Sequence, residues 1–100
     1  MATTTKALAR AAFATSSATL YTVPSATTTV ISNIVITNTA ASSGTFTIAL
    51  NGVALASAVS IPANSITAID LKQVLAATQT ITGQASATTI NYHISGVEIA

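Results

Sequence analysis

The sequence predicts an all-β protein, an antiparallel β-sandwich of jelly-roll type with about seven strands. Three observations predict it. Runs rich in Val, Ile and Thr alternate with turn residues at a spacing of roughly 8–12 positions, the signature of a sandwich or barrel. Asn51-Gly52 sits between two such runs, and this dipeptide is the strongest short-range hairpin signal, because a type I′ turn needs positive φ at both central residues. No sustained helical pattern separates the strands, which argues against parallel βαβ units.

Residues 1–17 read as an N-terminal arm ahead of a sandwich domain at 18–100. The arm is Ala-rich and carries Lys6 and Arg10. It is expected to be extended or briefly helical. Thr5 can cap a helix over Lys6 to Phe13, where Ala, Leu, Lys and Arg are good helix formers, although so short a helix is marginal alone. Leu8 and Phe13 favour an arm that orders against a neighbouring subunit over a frayed tail.

Leu20 to Val23 makes a short strand that Pro24 ends, because proline cannot donate to a ladder. Ser25-Ala26 turns the chain into the longest strand, Thr28 to Asn38. Val30, Ile34 and Ile36 are expected on one face and Ile31 and Val35 on the other, which implies cover on both sides. Thr45 to Leu50 alternates cleanly, with Phe46, Ile48 and Leu50 inward. Val53 to Ser60 is the return strand, Pro62-Ala63-Asn64 the next turn, and Ser65 to Leu71 another strand. Lys72 to Ala77 is expected to form a single turn. Thr78 to Ala85 and Thr88 to Ile99 complete the set, with Ile90, Tyr92 and Ile94 on one face and Gly83 and Gly96 as candidate bulges.

Composition bounds the function. One hundred residues make one domain with a modest core. Only 5% of residues are charged, against roughly 25% in an ordinary domain, so Thr, Ser, Ala and Asn must make the surface. Such a surface is poorly defended against association, which suits a subunit. Lys6, Arg10 and Lys72 are too few for a nucleic-acid footprint, and the absence of cysteine excludes disulfides and thiolate metal sites. Mean hydropathy is high at +0.67, yet polar residues interrupt every apolar run well short of the roughly 20 residues of a membrane span. The N-terminus has an apolar core of about four residues, against the 7–15 of a cleaved signal, so none is expected.

Chemistry is scarce. Asp70 and Glu98 are the only acids and His93 the only imidazole. Acid–base catalysis needs positioned titratable groups, and a metal site needs three or four ligands. Asp70 reads as a turn residue beside Lys72, Glu98 as a solvated strand edge, and His93 as a lone outward side chain. The glycines are dispersed and build no phosphate cradle. No catalytic residue, cofactor or metal is expected.

The runs LYTVPSATTTVISNIVITNT, TFTIALNG, IPANSITAIDL and ISGVEI resemble a family of small β-sandwich virion proteins of tailed bacteriophages. The matching motifs are Val23-Pro24, Asn38-Thr39, Pro62-Ala63-Asn64 and Gly96-Val97-Glu98, over about Leu20 to Ile99. They are structural punctuation and carry over no functional residues. The resemblance implies a non-enzymatic role on the virion, as a capsid decoration (cement) protein or a tail or fibre component. The expectation is a homo-oligomer, a trimer, bound to the major capsid protein or other virion proteins on the outer capsid surface, with no nucleic-acid or membrane partner. Its contacts are expected from Lys6, Leu8, Arg10 and Phe13 of the arm, with Tyr21, Ile31 and Val35. The alternatives are a tail, baseplate or head-fibre module and a secreted adhesin or pilus-like subunit.

Overall fold

The computed structural model describes residues 3–100, and its geometry radiates from the turn at Asn51-Gly52. Both residues have positive φ, 50° and 80°, as a type I′ turn requires. Eight strands surround that turn: β1 (Thr3–Ala12), β2 (Ala18–Thr22), β3 (Thr28–Asn38), β4 (Gly44–Leu50), β5 (Val53–Ile61), β6 (Ser65–Leu75), β7 (Thr80–Ala85) and β8 (Ile90–Ile99). From the turn outward the chain pairs with itself, β4 with β5, β3 with β6, β2 with β7 and β1 with β8, always antiparallel. It is one long hairpin, rolled so that successive pairs fall in opposite layers. The layers are a β1-β8-β3-β6 sheet (sheet A) and a β2-β7-β4-β5 sheet (sheet B). That order is the jelly roll.

The core between the sheets is mainly isoleucine. Ile31, Ile34, Ile36 and Ile94 from sheet A meet Phe46, Ile48 and Ile81 from sheet B, all buried. Each such side chain contributes about 1.5–3 kcal/mol by leaving water. Phe13 closes one end, its ring 4.9 Å from that of Tyr92 and tilted by 59°, and its backbone N–H donates to the Ile90 carbonyl.

The N-terminal segment is extended, and the helical alternative is not formed. Thr3–Ala12 pairs along β8 as the edge strand of sheet A, which makes the strand count eight. A helix of two turns would have to nucleate alone, whereas β8 offers a ready ladder. Met1 and Ala2 of the arm lie outside the described residues.

Two further expectations change. The long strand does not keep one alternation: its register slips between Ile31 and Asn33 against both neighbours. The slip puts Ile31 on the same buried face as Ile34 and Ile36 and leaves Val30 partly exposed on the other side. Lys72 to Leu75 continues β6 as strand, and the turn comes later, where the Gln79 N–H donates to the Ala76 carbonyl.

Gly96 marks a close approach and not a bulge. A Cβ there would lie 2.3 Å from the Val30 carbonyl oxygen. The bulges fall instead in the strands flanking it, at Leu8 of β1 and Ser32 of β3.

Candidate functional site

The polar chemistry of this chain is sorted by sheet. Lys6 and Arg10 lie on β1, Asp70 and Lys72 on β6, and Glu98 on β8, so every charged side chain belongs to sheet A. Among the described residues, sheet B bears none. Its outer face is built from such residues as Thr45, Thr47, Ala49, Thr82 and Gln84.

One cluster joins the two sheets. The Tyr21 hydroxyl, on β2, donates to Glu98 Oε2. The Thr29 hydroxyl, 3.0 Å from the Tyr21 oxygen, completes that atom's bonding. Lys6 Nζ lies 3.2 Å from Glu98 Oε1. The tyrosine hydrogen bond, reinforced by the lysine, holds the Glu98 carboxyl below its ordinary range, against a smaller opposing effect of burial. Burial and the neighbouring carboxylate push Tyr21 up. These bonds tie β1, β2, β3 and β8 together, so the cluster acts as a clasp between strands.

The residues expected at an interface divide. Phe13 and Ile31 are 1% and 0% exposed; they belong to this chain's own core and offer nothing to a neighbour, a correction forced by the docking of β1 and the slip in β3. Leu8 is half-buried as the bulged residue of β1, packed against the core. Tyr21 and Lys6 are engaged in the clasp. Arg10 is exposed opposite His93, and Val35 is half-buried on the outer face of sheet A between His93 and Ala68. His93 therefore has Arg10 and Val35 as flanking neighbours. Among the described residues no three His, Asp or Glu side chains converge as metal ligands.

The punctuation motifs do converge. Asn38 is 2% exposed, and its Nδ2 donates to the carbonyls of Ser42, Ile61 and Pro62, while its Oδ1 accepts from the Ala40 N–H. Asn64, at φ 50°, donates its backbone N–H to the Ala40 carbonyl. Asn38-Thr39 and Pro62-Ala63-Asn64 thus form one polar knot between the β3–β4 loop and the β5–β6 turn.

Opposite the β1 edge, the flank where β5 and β6 run as the two sheet edges exposes several apolar side chains. Val53 is 70% exposed, Val74 64%, and Leu55 39%. They line a groove of about 370 Å³ with Leu50 and Leu75 at its floor and Asn51, Gln73 and Gln79 at its rim. The sequence signals β5 as a strand but not this exposure, because the face a strand shows depends on which strands flank it.

No protein-family profile matches the chain, and no curated protein matches its sequence. Solved structures match its fold. A chain of the T13 IBDV viral particle aligns with 97% of this chain and 29% of its own length at TM-score 0.55 and 9% identity. A chain from the infectious bursal disease virus Gx strain aligns with 97% of this chain and 31% of its own length at TM-score 0.54 and 13% identity. A weaker likeness, at TM-score 0.45 and 13% identity, is to a CBM35 from Paenibacillus barcinonensis, with 98% of this chain and 92% of that one covered. This chain therefore spans under a third of each of these two viral chains, and at these identities the likeness is one of fold.

Proposed function

We propose that this chain is a non-enzymatic structural component of a virion, and specifically a capsid decoration protein that binds the outer shell and bridges neighbouring capsid subunits. The observation that carries the reading is the uncharged sheet B. Burying a face that bears charges is expensive unless each charge is paired. A face of Thr, Ala and Gln desolvates without that penalty, as permanent contact with a large assembly requires. Sheet B is accordingly the face against the shell, and sheet A, with all the charge, faces water. The shared fold with chains of viral particles supports the same reading.

The proposed copy number is three, at three-fold points of the shell, with the major capsid protein as partner. Stabilisation is by mass action, because a ligand of the assembled shell alone shifts the equilibrium toward it. The sheet edges give little support to a pilus-like subunit working by strand addition. β1 carries Lys6, Arg10 and a bulge, β2 is short and bulged, the register of β5 breaks twice, and β6 has Asp70, Lys72 and a break of its own. Charges, bulges and shortness are how edges are blunted against pairing.

The test is co-sedimentation of the purified protein with isolated virus shells lacking it, together with the melting temperature of those shells. Saturable binding and a raised melting temperature are expected. A protein that ignores shells but binds isolated tails would overturn the decoration reading in favour of a tail or fibre component.

A further inference from the structure

We infer that β1 is an exchangeable strand, and that the β8 edge of one copy of this chain accepts the β1 of a second copy. The exchange needs no shell.

β1 is held lightly and is hinged. Eight of its ten residues are exposed, and it pairs with β8 alone. Leu8 and Ala9 are its contribution to the packed core. Few buried apolar contacts and an exposed ladder mark the segments that open ahead of the rest of a fold. The connection to β2 is short, and Thr15, Ser16 and Ser17 in it are exposed. Straightening that bend carries β1 and Phe13 away from their own sandwich as one piece. An emptied β8 is then an unpaired edge, which templates pairing with another chain.

The seats that β1 leaves are keyed to β1. Phe13 sits between Tyr92 and Gly83: its ring is 4.9 Å from that of Tyr92, and a Cβ at Gly83 would come within 2.9 Å of its Cε1. Leu8, the bulged residue, lies over Gly96, where a Cβ would come within 3.0 Å of Leu8 Cδ1. Lys6 meets Glu98. A strand of other sequence would have to bring an aromatic ring, a bulged leucine and a cation at these same spacings. The β1 of a second copy brings all three.

Every bond made within one chain is remade between two, including that from the Ala85 N–H to the Ala14 carbonyl. The two forms therefore differ only by the association itself and by the hinge, and concentration decides between them. Trading an identical element is for this reason a low-cost route to oligomers. Two copies trading strands, or three passing them round a ring, fill every β8 alike. Interconversion is slow, because Phe13 must leave one core before it enters another.

Cysteine pairing tests the exchange. The chain has no cysteine of its own. Thr5 and Val97 are opposed across the β1–β8 ladder, and such Cα atoms lie about 4.5–5.5 Å apart, within disulfide reach. Thr5→Cys and Val97→Cys chains, incubated together at high concentration and then oxidised, should give a covalent heterodimer. Ala12→Cys is the control. Ala12 is exposed on the same strand but lies opposite Asn91, and its yield with Val97→Cys should be several-fold lower. Equal yields from the two pairs overturn the exchange.

A second measurement locks the strand to its own chain. The Thr5→Cys, Val97→Cys double variant, oxidised at high dilution, should stay at the monomer mass of 9.9 kDa in light scattering when it is concentrated. Reduction should restore the association of the wild type. Circular dichroism checks that each variant keeps the β-fold, and the wild-type mass needs no variant at all. Undiminished association of the locked chain, or a wild type that stays at 9.9 kDa after prolonged concentration, overturns the exchange.

Discussion

Sheets A and B are equal in strand number and share one core, yet they present opposite surfaces. Sheet A holds every charged side chain of the protein; sheet B holds none among the described residues. The difference teaches that pairing order alone can sort charge between two layers, and it is what the proposed shell contact rests on. A sheet that remains in water keeps charges, which blunt its edges and keep it soluble. A sheet that is permanently covered does better without them, since each would need a partner on the covering surface.

The largest expected effect comes from breaking that asymmetry. Thr82→Lys places one cation at the middle of the outer face of sheet B. Folding stability should change by no more than about 0.5 kcal/mol, as for most surface substitutions. Binding to shells should weaken by about thirtyfold or more, since an unpaired charge in an interface costs roughly 2–5 kcal/mol. Ile66→Lys on sheet A should leave shell binding unchanged. Equal effects from the two lysines in a co-sedimentation titration would dissolve the distinction between the sheets.

Next in size are two substitutions in sheet A, one inside it and one where it meets the β5–β6 turn. Gly96→Ala drives a methyl group into the Val30 carbonyl, and the strands of sheet A must separate to admit it. A loss of about 2–3 kcal/mol in chemical denaturation is expected, in the range of overpacked cores. Asn38→Ala removes the donor to three carbonyls and the acceptor for Ala40. A loss of about 2 kcal/mol should follow, because buried groups left unpaired cost about 1–3 kcal/mol each and some will recover water.

The clasp between the sheets gives a smaller, pH-dependent effect. Glu98 has a lowered carboxyl pKa in the folded protein, so its contribution is present above the ordinary carboxylate range. It fades as pH falls through about 4.3 and below. Thermal melts should be flat near neutrality and decline below that pH, and Glu98→Gln should flatten the decline at a loss of under about 1 kcal/mol at neutral pH, since the Lys6 end of the pair is exposed and the glutamine keeps an acceptor for Tyr21. Retention of the full acid limb in that variant would remove Glu98 as its source.

The smallest expected effect is a gain. Ala58, at φ 49° on β5, occupies a region that disfavours a Cβ by about 1–2 kcal/mol. Ala58→Gly should stabilise the protein by about 0.5–1 kcal/mol, the strain relieved less the extra freedom glycine has when unfolded. Differential scanning calorimetry would resolve it, and a loss of stability would show that the bulge is not strained.

Much of the fold was legible in the residues. Asn51-Gly52 announced the β4–β5 hairpin because such residues are the ones that readily adopt two successive positive φ angles, though not that the whole fold is built about it. Phe46 and Ile48 showed their buried face by strict alternation, and Pro62-Ala63-Asn64 marked a turn that the structure keeps. Alternation failed where a single residue shifted it: the slip at Ser32 returned Ile31 to the core, and nothing local to Ser32 announces a bulge. The segment from Thr3 to Ala12 was ambiguous for a related reason. Its weak helix preference is outweighed by a ladder that β8, 79 to 96 positions later in the chain, provides.

The sequence by itself determined that this protein is all-β, nearly uncharged, poor in titratable groups and turned by a hairpin at Asn51-Gly52. These follow from side-chain type and from conformational preferences that act within a few residues. Only the tertiary structure decided that Lys6, Arg10, Asp70, Lys72 and Glu98 share one sheet, and that Val53, Leu55 and Val74 meet at one flank. Both outcomes depend on how a long hairpin is rolled. Rolling assigns alternate strand pairs to opposite layers, so neighbours in space are set by pairing distance from the turn and not by nearness along the chain.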